Sequence, residues 1–260
     1  MKQFSDEELK IFKGNFRLTE CSNASPLSIK AVDLTDEQQL KAYLIKVREK
    51  VEAANLTVAA SLFIKRYSFA VLVALYSMSV LDKRLNFSVE NVSVETLDEE
   101  DNLWLPSFKL HDLSIEETSR ADRLIWRDDV LKQIFCHHVD VLFTHIMKVC
   151  KLPKLIMWEN LYVYICWMYE QLLNDSQLHS IHKRIRSDFQ YILKEGKGHL
   201  FGIYHQNPFL KYDQPDQFSE KDGQEVRIRK TCCFAYLTAM KGKHCKTCPV
   251  SCGREEAGKS

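Results

Sequence analysis

Five of the nine cysteines in this 260-residue chain lie within 21 residues near its C-terminal end. They are Cys232, Cys233, Cys245, Cys248 and Cys252, in the run TCCFAYLTAMKGKHCKTCPVSCG. In a reducing compartment disulfides are rare, so such density points to metal or redox chemistry. The Cys245-x-x-Cys248 pair has the bite of a chelating knuckle and suits zinc or an iron–sulfur cluster equally well. A zinc ribbon would supply a second Cys-x-x-Cys, whereas here the partner is the adjacent pair Cys232 and Cys233. In extended chain, neighbouring side chains point apart, so two adjacent thiolates converge poorly on one small ion. A bridged two-iron cluster spreads four ligands over two irons and tolerates that geometry better. Spacing alone leaves the iron–sulfur, zinc and redox-dithiol readings open.

The run Arg229-x-x-Cys232-Cys233-x-x-Tyr236, followed by Cys245-x-x-Cys248-Pro249, resembles the C-terminal signature of the FhuF-like ferric siderophore reductases. The resemblance implies a [2Fe–2S] cluster held by Cys232, Cys233, Cys245 and Cys248. It also implies a cytoplasmic oxidoreductase that reduces Fe(III) to Fe(II) one electron at a time and so releases iron. Hydroxamate or citrate-hydroxamate siderophores are the expected substrates, with a ferredoxin or flavoprotein reductase as electron donor. The alternative is a zinc-stabilised siderophore-binding or interaction protein without redox activity. Two features depart from the family pattern. Eleven residues separate Cys233 from Cys245, one more than usual, and the extra residue falls at Lys241, Gly242 and Lys243, where a turn is expected. Cys252 is a fifth thiol, expected to be a spare. The helical body is also similar to part of the siderophore synthetases that build citrate-hydroxamate chelators, but their ATP site has no counterpart here.

The other chemically capable residues have plainer expected roles. Cys136, Cys150 and Cys166 fall in apolar helical segments and read as small buried hydrophobes; Cys21 stands alone. His137, His138 and His145 lack a Glu-x-x-His motif or third ligand, and His244, beside Cys245, reads as a surface residue rather than a nitrogen ligand. Trp104, Trp126, Trp158 and Trp167, with Tyr162, Tyr164 and Tyr169, could line a pocket but are expected in the core. Lys183, Arg184 and Arg186 read as a solvated basic face. No Gly-x-Gly-x-x-Gly supports flavin or nicotinamide binding.

Helices must position this chemistry. Eight glycines in a chain that is 45% hydrophobic favour long helices over a turn-rich β fold. Capping boxes at Ser5-x-x-Glu8, Thr35-x-x-Gln38 and Ser114-x-x-Glu117 predict helix starts. Helical spacing covers 36–54, 56–81, 128–149, 157–173 and 180–194. Alternation through Leu85, Phe87, Val89, Val92 and Val94 predicts a hairpin turning at Glu90 and Asn91. Residues 103–110 offer a third strand, which Pro106 pushes to an edge. The expected fold is mainly α with a small antiparallel β-sheet (α+β), ahead of a short C-terminal iron–sulfur module. The expected divisions are a siderophore-binding body at 1–210, a polar connection at 211–226 and the module at 227–260.

Charge adds one bias. Residues 221–260 hold nine Lys or Arg against four Asp or Glu, a local net of +5, while the remaining 27 basic and 31 acidic residues leave −4. Lys230, Lys241, Lys243 and Lys246 surround the cysteines and would attract anionic partners. An overall charge of +1 and the lack of a DNA-binding motif give no case for nucleic acid, which also weakens an iron–sulfur sensor of gene expression. Residues 1–14 are charged and carry no secretory pattern, and the most apolar run, 69–80, is too short to span a bilayer. A cytoplasmic address without a membrane span is expected.

Overall fold

The chain's most apolar stretch becomes one long helix, Leu56–Leu81, buried almost all the way round. Asn55 caps its start by accepting from the Val58 N–H, and Asp82 ends it in the left-handed conformation. The computed structural model describes residues 2–101, 103–117, 122–213, 218–221, 224–239 and 242–251. By length and composition this helix could cross a membrane, but 83% of its apolar window is buried inside the protein. Packing against neighbours on all sides therefore accounts for its apolarity.

The elements run, in chain order, β1 (Lys2–Gln3), α1 (Asp6–Phe16), β2 (Ile29–Lys30), α2 (Glu37–Lys50), α3 (Leu56–Leu81), β3 (Lys83–Leu85), β4 (Val92–Glu95), β5 (Ser107–Leu110) and β6 (Ser114–Glu117). Then come α4 (Arg123–Ile134), a π turn (Phe135–Val139), α5 (Asp140–Cys150), α6 (Lys154–Asn174), α7 (His182–Gln190) and a hairpin of β7 (Phe218–Lys221) and β8 (Gln224–Arg227). Helix α6 lies along α3, and α1, α2, α4, α5 and α7 close around that pair. Two antiparallel three-stranded sheets, ordered β1-β6-β3 and β2-β4-β5, flank the helices.

The Ser5 capping box forms with both of its hydrogen bonds. At α2 the cap moves one residue on, to Asp36, which takes the N–H groups of Gln38 and Gln39. Three expectations need correction. No hairpin turns at Glu90 and Asn91, because the Asn91 amide is spent elsewhere: it donates to the Asn86 and Asp112 carbonyls and accepts from the Asp112 N–H. That clasp sends β3 and β4 into different sheets. Residues 114–117 form a strand, not a helix start. The Ser114 hydroxyl turns back to Asp112, leaving β6 free to pair on both edges. The polar connection expected at 211–226 is not all loop, since β7 lies within it and β8 begins there. Pro106 does precede an edge strand, β5. The expected 128–149 helix starts earlier and carries the π turn within it.

Most of the chemically capable residues away from the module serve packing. Trp104, Trp158, Tyr162 and Tyr169 are core residues, while Trp167 is exposed. Arg184 is not simply solvated, because it binds the Ser79 and Val80 carbonyls at the end of α3. His138 is fully buried between the Phe87 carbonyl at Nδ1 (2.9 Å) and the Tyr67 hydroxyl at Nε2 (2.6 Å). A neutral ring with Nδ1–H donating and Nε2 accepting satisfies both contacts.

Burial pushes the His138 pKa down to about 4. Between roughly pH 6.5 and 4 the unfolded chain therefore binds a proton that the folded chain refuses. Stability should fall as pH drops through this window, by on the order of 3 kcal/mol in all. His138→Gln should be less stable at neutral pH yet show a flatter decline toward about pH 4, read from urea unfolding midpoints.

Candidate metal centre

Two helices grip the cysteine segment through a ladder of buried polar groups. Glu159 on α6 accepts the backbone N–H groups of Lys230 (2.6 Å) and Thr231 (2.7 Å), together with the Thr231 hydroxyl. Its neighbour Asn160 accepts from Arg229 (2.6 Å) and donates to Ser61 on α3 (3.0 Å). Ser61 in turn donates to the Cys233 carbonyl (2.8 Å). At the other end of the segment, the Ala54 N–H donates to the Leu237 carbonyl and the Ala239 N–H to the Val51 carbonyl. Glu159, Asn160 and Arg229 are each at most 5% exposed. Such groups hold their places because each makes at least one hydrogen bond here.

This frame brings the four cysteines together. The sulfurs of Cys233 and Cys245 stand 3.9 Å apart. Two thiolates on one tetrahedral metal, with bonds of about 2.3 Å, would stand about 3.8 Å apart. Cys232 has both Cys233 and Cys248 as thiol neighbours. Each of the adjacent residues Cys232 and Cys233 therefore has a thiol neighbour from the second half of the motif, and Phe234 in the left-handed conformation (φ 60°) turns the chain directly after them. Among the described residues, no three His, Cys, Asp or Glu side chains surround a single ion position. Four thiols brought together in this way are a donor set that could hold a [2Fe–2S] cluster, two to each iron.

Each sulfur also has a neighbour that bears on its charge. The Lys65 ammonium of α3 donates to the Cys233 sulfur (3.6 Å), and the Phe234 N–H donates to Cys232 (3.3 Å). His244 Nδ1 lies 3.3 Å from Cys248, its ring stacked on Tyr236, and the Thr247 hydroxyl lies 3.8 Å from Cys245. The Cys233 thiol is drawn well below the ordinary range, first by sharing a proton with Cys245 and then by Lys65 and Arg229. Cys245 is correspondingly raised, and burial raises Cys232. Thiolate is the form that binds metal, and the Lys65 ammonium favours it at this pair.

The extra residue before Cys245 is absorbed as expected: Gly242 turns at φ 79° and donates to the Tyr236 carbonyl. Lys241 and Cys252 lie outside the described residues. Lys230, Lys243 and Lys246 are exposed. Elsewhere, Cys150 is buried, Cys136 and Cys166 are partly buried, and Cys21 is exposed. Burial lifts Cys150 to about 11 and Cys166 to about 12, far from thiolate at neutral pH. Sequence reasoning missed Lys65, Ser61, Glu159 and Asn160, and placed His244 on the surface rather than against Cys248. The available signal was polarity out of place: Lys65 interrupts the most apolar helix, and Glu159 and Asn160 interrupt an apolar face of α6.

Residues 229–249 match the FhuF 2Fe-2S C-terminal domain family. Over these 21 residues the C-terminal module is similar to an FhuF-type [2Fe–2S] domain. All four cysteines fall inside the matched segment, as does Arg229 at its first position. No curated protein and no solved structure matches the chain. The FhuF-type module therefore sits on a body whose role must be argued from its own residues.

Beside the module a two-lobed cleft opens between α3, α6 and the cysteine segment. One lobe, about 390 Å³, includes Tyr162, Trp167, Glu170, Arg227 and Arg229 in its wall. The other, about 300 Å³, reaches Cys245 itself.

The ladder predicts a specific failure. Glu159→Gln would leave Arg229 without its carboxylate and replace an acceptor with an unneeded donor, at a cost of about 2–4 kcal/mol. Hydrogen exchange at residues 229–233 should accelerate well before the rest of the chain loses protection.

Proposed function

We propose that the protein is a ferric-siderophore reductase acting on hydroxamate or citrate-hydroxamate chelates, with Cys232, Cys233, Cys245 and Cys248 as the cluster ligands. The observation that carries this reading is the gathering of four cysteines inside a segment that matches an FhuF-type module, with the Cys233 and Cys245 sulfurs 3.9 Å apart and Cys245 lining an open cleft. A siderophore's hard oxygen donors prefer ferric iron, so one electron converts a tightly held metal into a releasable one. Each tenfold preference for Fe(III) lowers that iron's potential by about 59 mV. A bound all-cysteine [2Fe–2S] cluster supplies single electrons at low potential, about −400 mV in the plant type.

The chain's own residues do the rest. Lys65, the Phe234 N–H and His244 set the electrostatic surroundings of the sulfurs. Cys233 and Cys248 are buried against the body, which keeps water from half the donor set. Exposed Lys230, Lys243 and Lys246 favour negatively charged partners, whether the chelate or an acidic ferredoxin or flavoprotein donor. All eight described cysteines are free, in keeping with a reducing, cytoplasmic compartment.

The first test is metal content with a functional assay on the same anaerobic preparation. About two irons and two sulfides per chain, an EPR signal after reduction, and ferrous iron released from a ferric hydroxamate would support the reading. One zinc per chain and no iron after reconstitution would remove it.

Cys232→Ser and Cys245→Ser should each abolish the visible chromophore, whereas Cys252→Ser should retain it. A colourless Cys252 variant beside a coloured Cys248 variant would overturn the ligand assignment. Lys65→Met removes a positive charge next to the Cys233 sulfur and should lower the midpoint potential by about 59 mV, a tenfold shift in the one-electron equilibrium. An EPR-monitored titration reads this directly.

A further inference from the structure

The lobe that reaches Cys245 has a composition suited to one kind of occupant. Its wall carries three aromatic rings, those of Phe69, Tyr164 and Trp167, and two cations, Lys65 and Arg229. Phe69 sits against both other rings, with centroids 5.3 Å from Tyr164 and 6.1 Å from Trp167. Trp167 is 43% exposed, an unusual position for so large an apolar surface unless something covers it. Among the described residues, this lobe's wall contains no carboxylate.

More positive charge stands behind the rings. The Arg17 guanidinium lies over Phe69 at 4.1 Å and is close enough to Arg66 for the two to repel. Burial and that repulsion lower the pKa of Arg17, and burial lowers that of Arg66, while Asp101 is a counter-charge to both. Arg17, Arg66 and Arg229 each have a buried nitrogen without a hydrogen-bond partner. Arg229 itself is 5% exposed, so its free Nε has few alternatives to a ligand in the cleft. In the neighbouring lobe, Glu159 is already held by backbone N–H groups of the module, and Glu170 stands at the exposed rim.

We propose that this cleft docks a negatively charged, carboxylate-bearing ferric chelate, held by Trp167 and Lys65 against Cys245. The proposal rests on the reductase reading and narrows it. Of the two substrate classes, the citrate-hydroxamate type carries the anionic groups that a wall with two cations and no carboxylate attracts, whereas a neutral trihydroxamate does not. The rings offer flat, polarizable surface for the chelate's apolar arms at little entropic cost.

Gallium(III) complexes test docking without electron transfer, because gallium offers no accessible divalent state. The gallium complex of a citrate-based dihydroxamate should bind the cluster-loaded protein about tenfold more tightly than that of a neutral trihydroxamate. The difference should shrink as salt is raised. Trp167→Ala should weaken binding of the anionic complex about tenfold while leaving the visible spectrum of the cluster unchanged. Lys65→Gln should narrow the preference between the two complexes.

Equal affinity of wild type and Trp167→Ala for the anionic gallium complex would overturn the docking site. Equal binding of the two complexes would overturn the choice of an anionic ligand. If Trp167→Ala left gallium binding intact but slowed electron uptake from a reduced ferredoxin, the cleft would be the donor's contact and the proposal would be wrong. Gallium binding as expected, without reduction of the matching ferric complex, would uphold the docking site while removing the reductase reading.

Discussion

Everything at the C-terminal end depends on a buried carboxylate. Glu159 sits in a mostly apolar helix, between Trp158 and Asn160, and is only 2% exposed. Its charge is tolerable only because the module delivers two backbone N–H groups, a hydroxyl and Arg229. Remove the module and the body keeps an uncompensated charge. Remove the body and the module loses the acceptors that orient its first ligands. A buried pair of this kind adds little net stability but makes alternative arrangements expensive. The ladder from Glu159 and Asn160 through Ser61 to the Cys233 carbonyl is therefore best understood as a device for register.

Register matters because the donor set must be assembled from adjacent cysteines. Neighbouring side chains in extended chain point apart, so adjacent cysteines reach a common centre only if the chain around them is held in place. Holding the Cys233 carbonyl on α3 and turning the chain at Phe234 gives each thiol a neighbour from the second half of the motif. The same placement brings Cys233 to Lys65, so one contact both positions a donor atom and sets its charge. Hydrogen bonds and positive charge around the sulfurs are the levers by which a protein tunes an iron–sulfur potential.

How much of this the sequence disclosed follows from the range of each interaction. Capping at Ser5, the extent of α3 and the Gly242 turn are local, and the sequence displays them directly. The cysteine spacing is likewise a short-range pattern, legible within 21 residues. Strand partners were not legible, because the Asn91 clasp joins residues 86, 91 and 112, and only the folded chain shows that the amide is used there. The ladder is harder still, since it joins residues 61, 160 and 229. Its one visible sign was the polar pair Glu159 and Asn160 inside an apolar helix. A similar anomaly, Lys65 in α3, marked the residue that now faces a sulfur.

Why a helical body of some two hundred residues should accompany a motif of 21 also has a physical answer. So short a segment, with four lysines among its 21 residues, cannot bury enough surface to fold by itself. It must borrow a core, and its long-range bonds to residues 51, 54, 61, 159 and 160 show where the borrowing occurs. The cleft then arises as a consequence of docking: Phe69 and Lys65 come from α3, Tyr164 and Trp167 from α6, and Cys245 and Thr247 from the module. Neither part contains the site alone. Anything that binds the assembled cysteines stabilises the docked arrangement by mass action, and the docked arrangement is the one in which the cleft exists. Metal loading and cleft formation are thus linked through a single equilibrium, so a chain that has lost its metal would also tend to lose its place for a chelate.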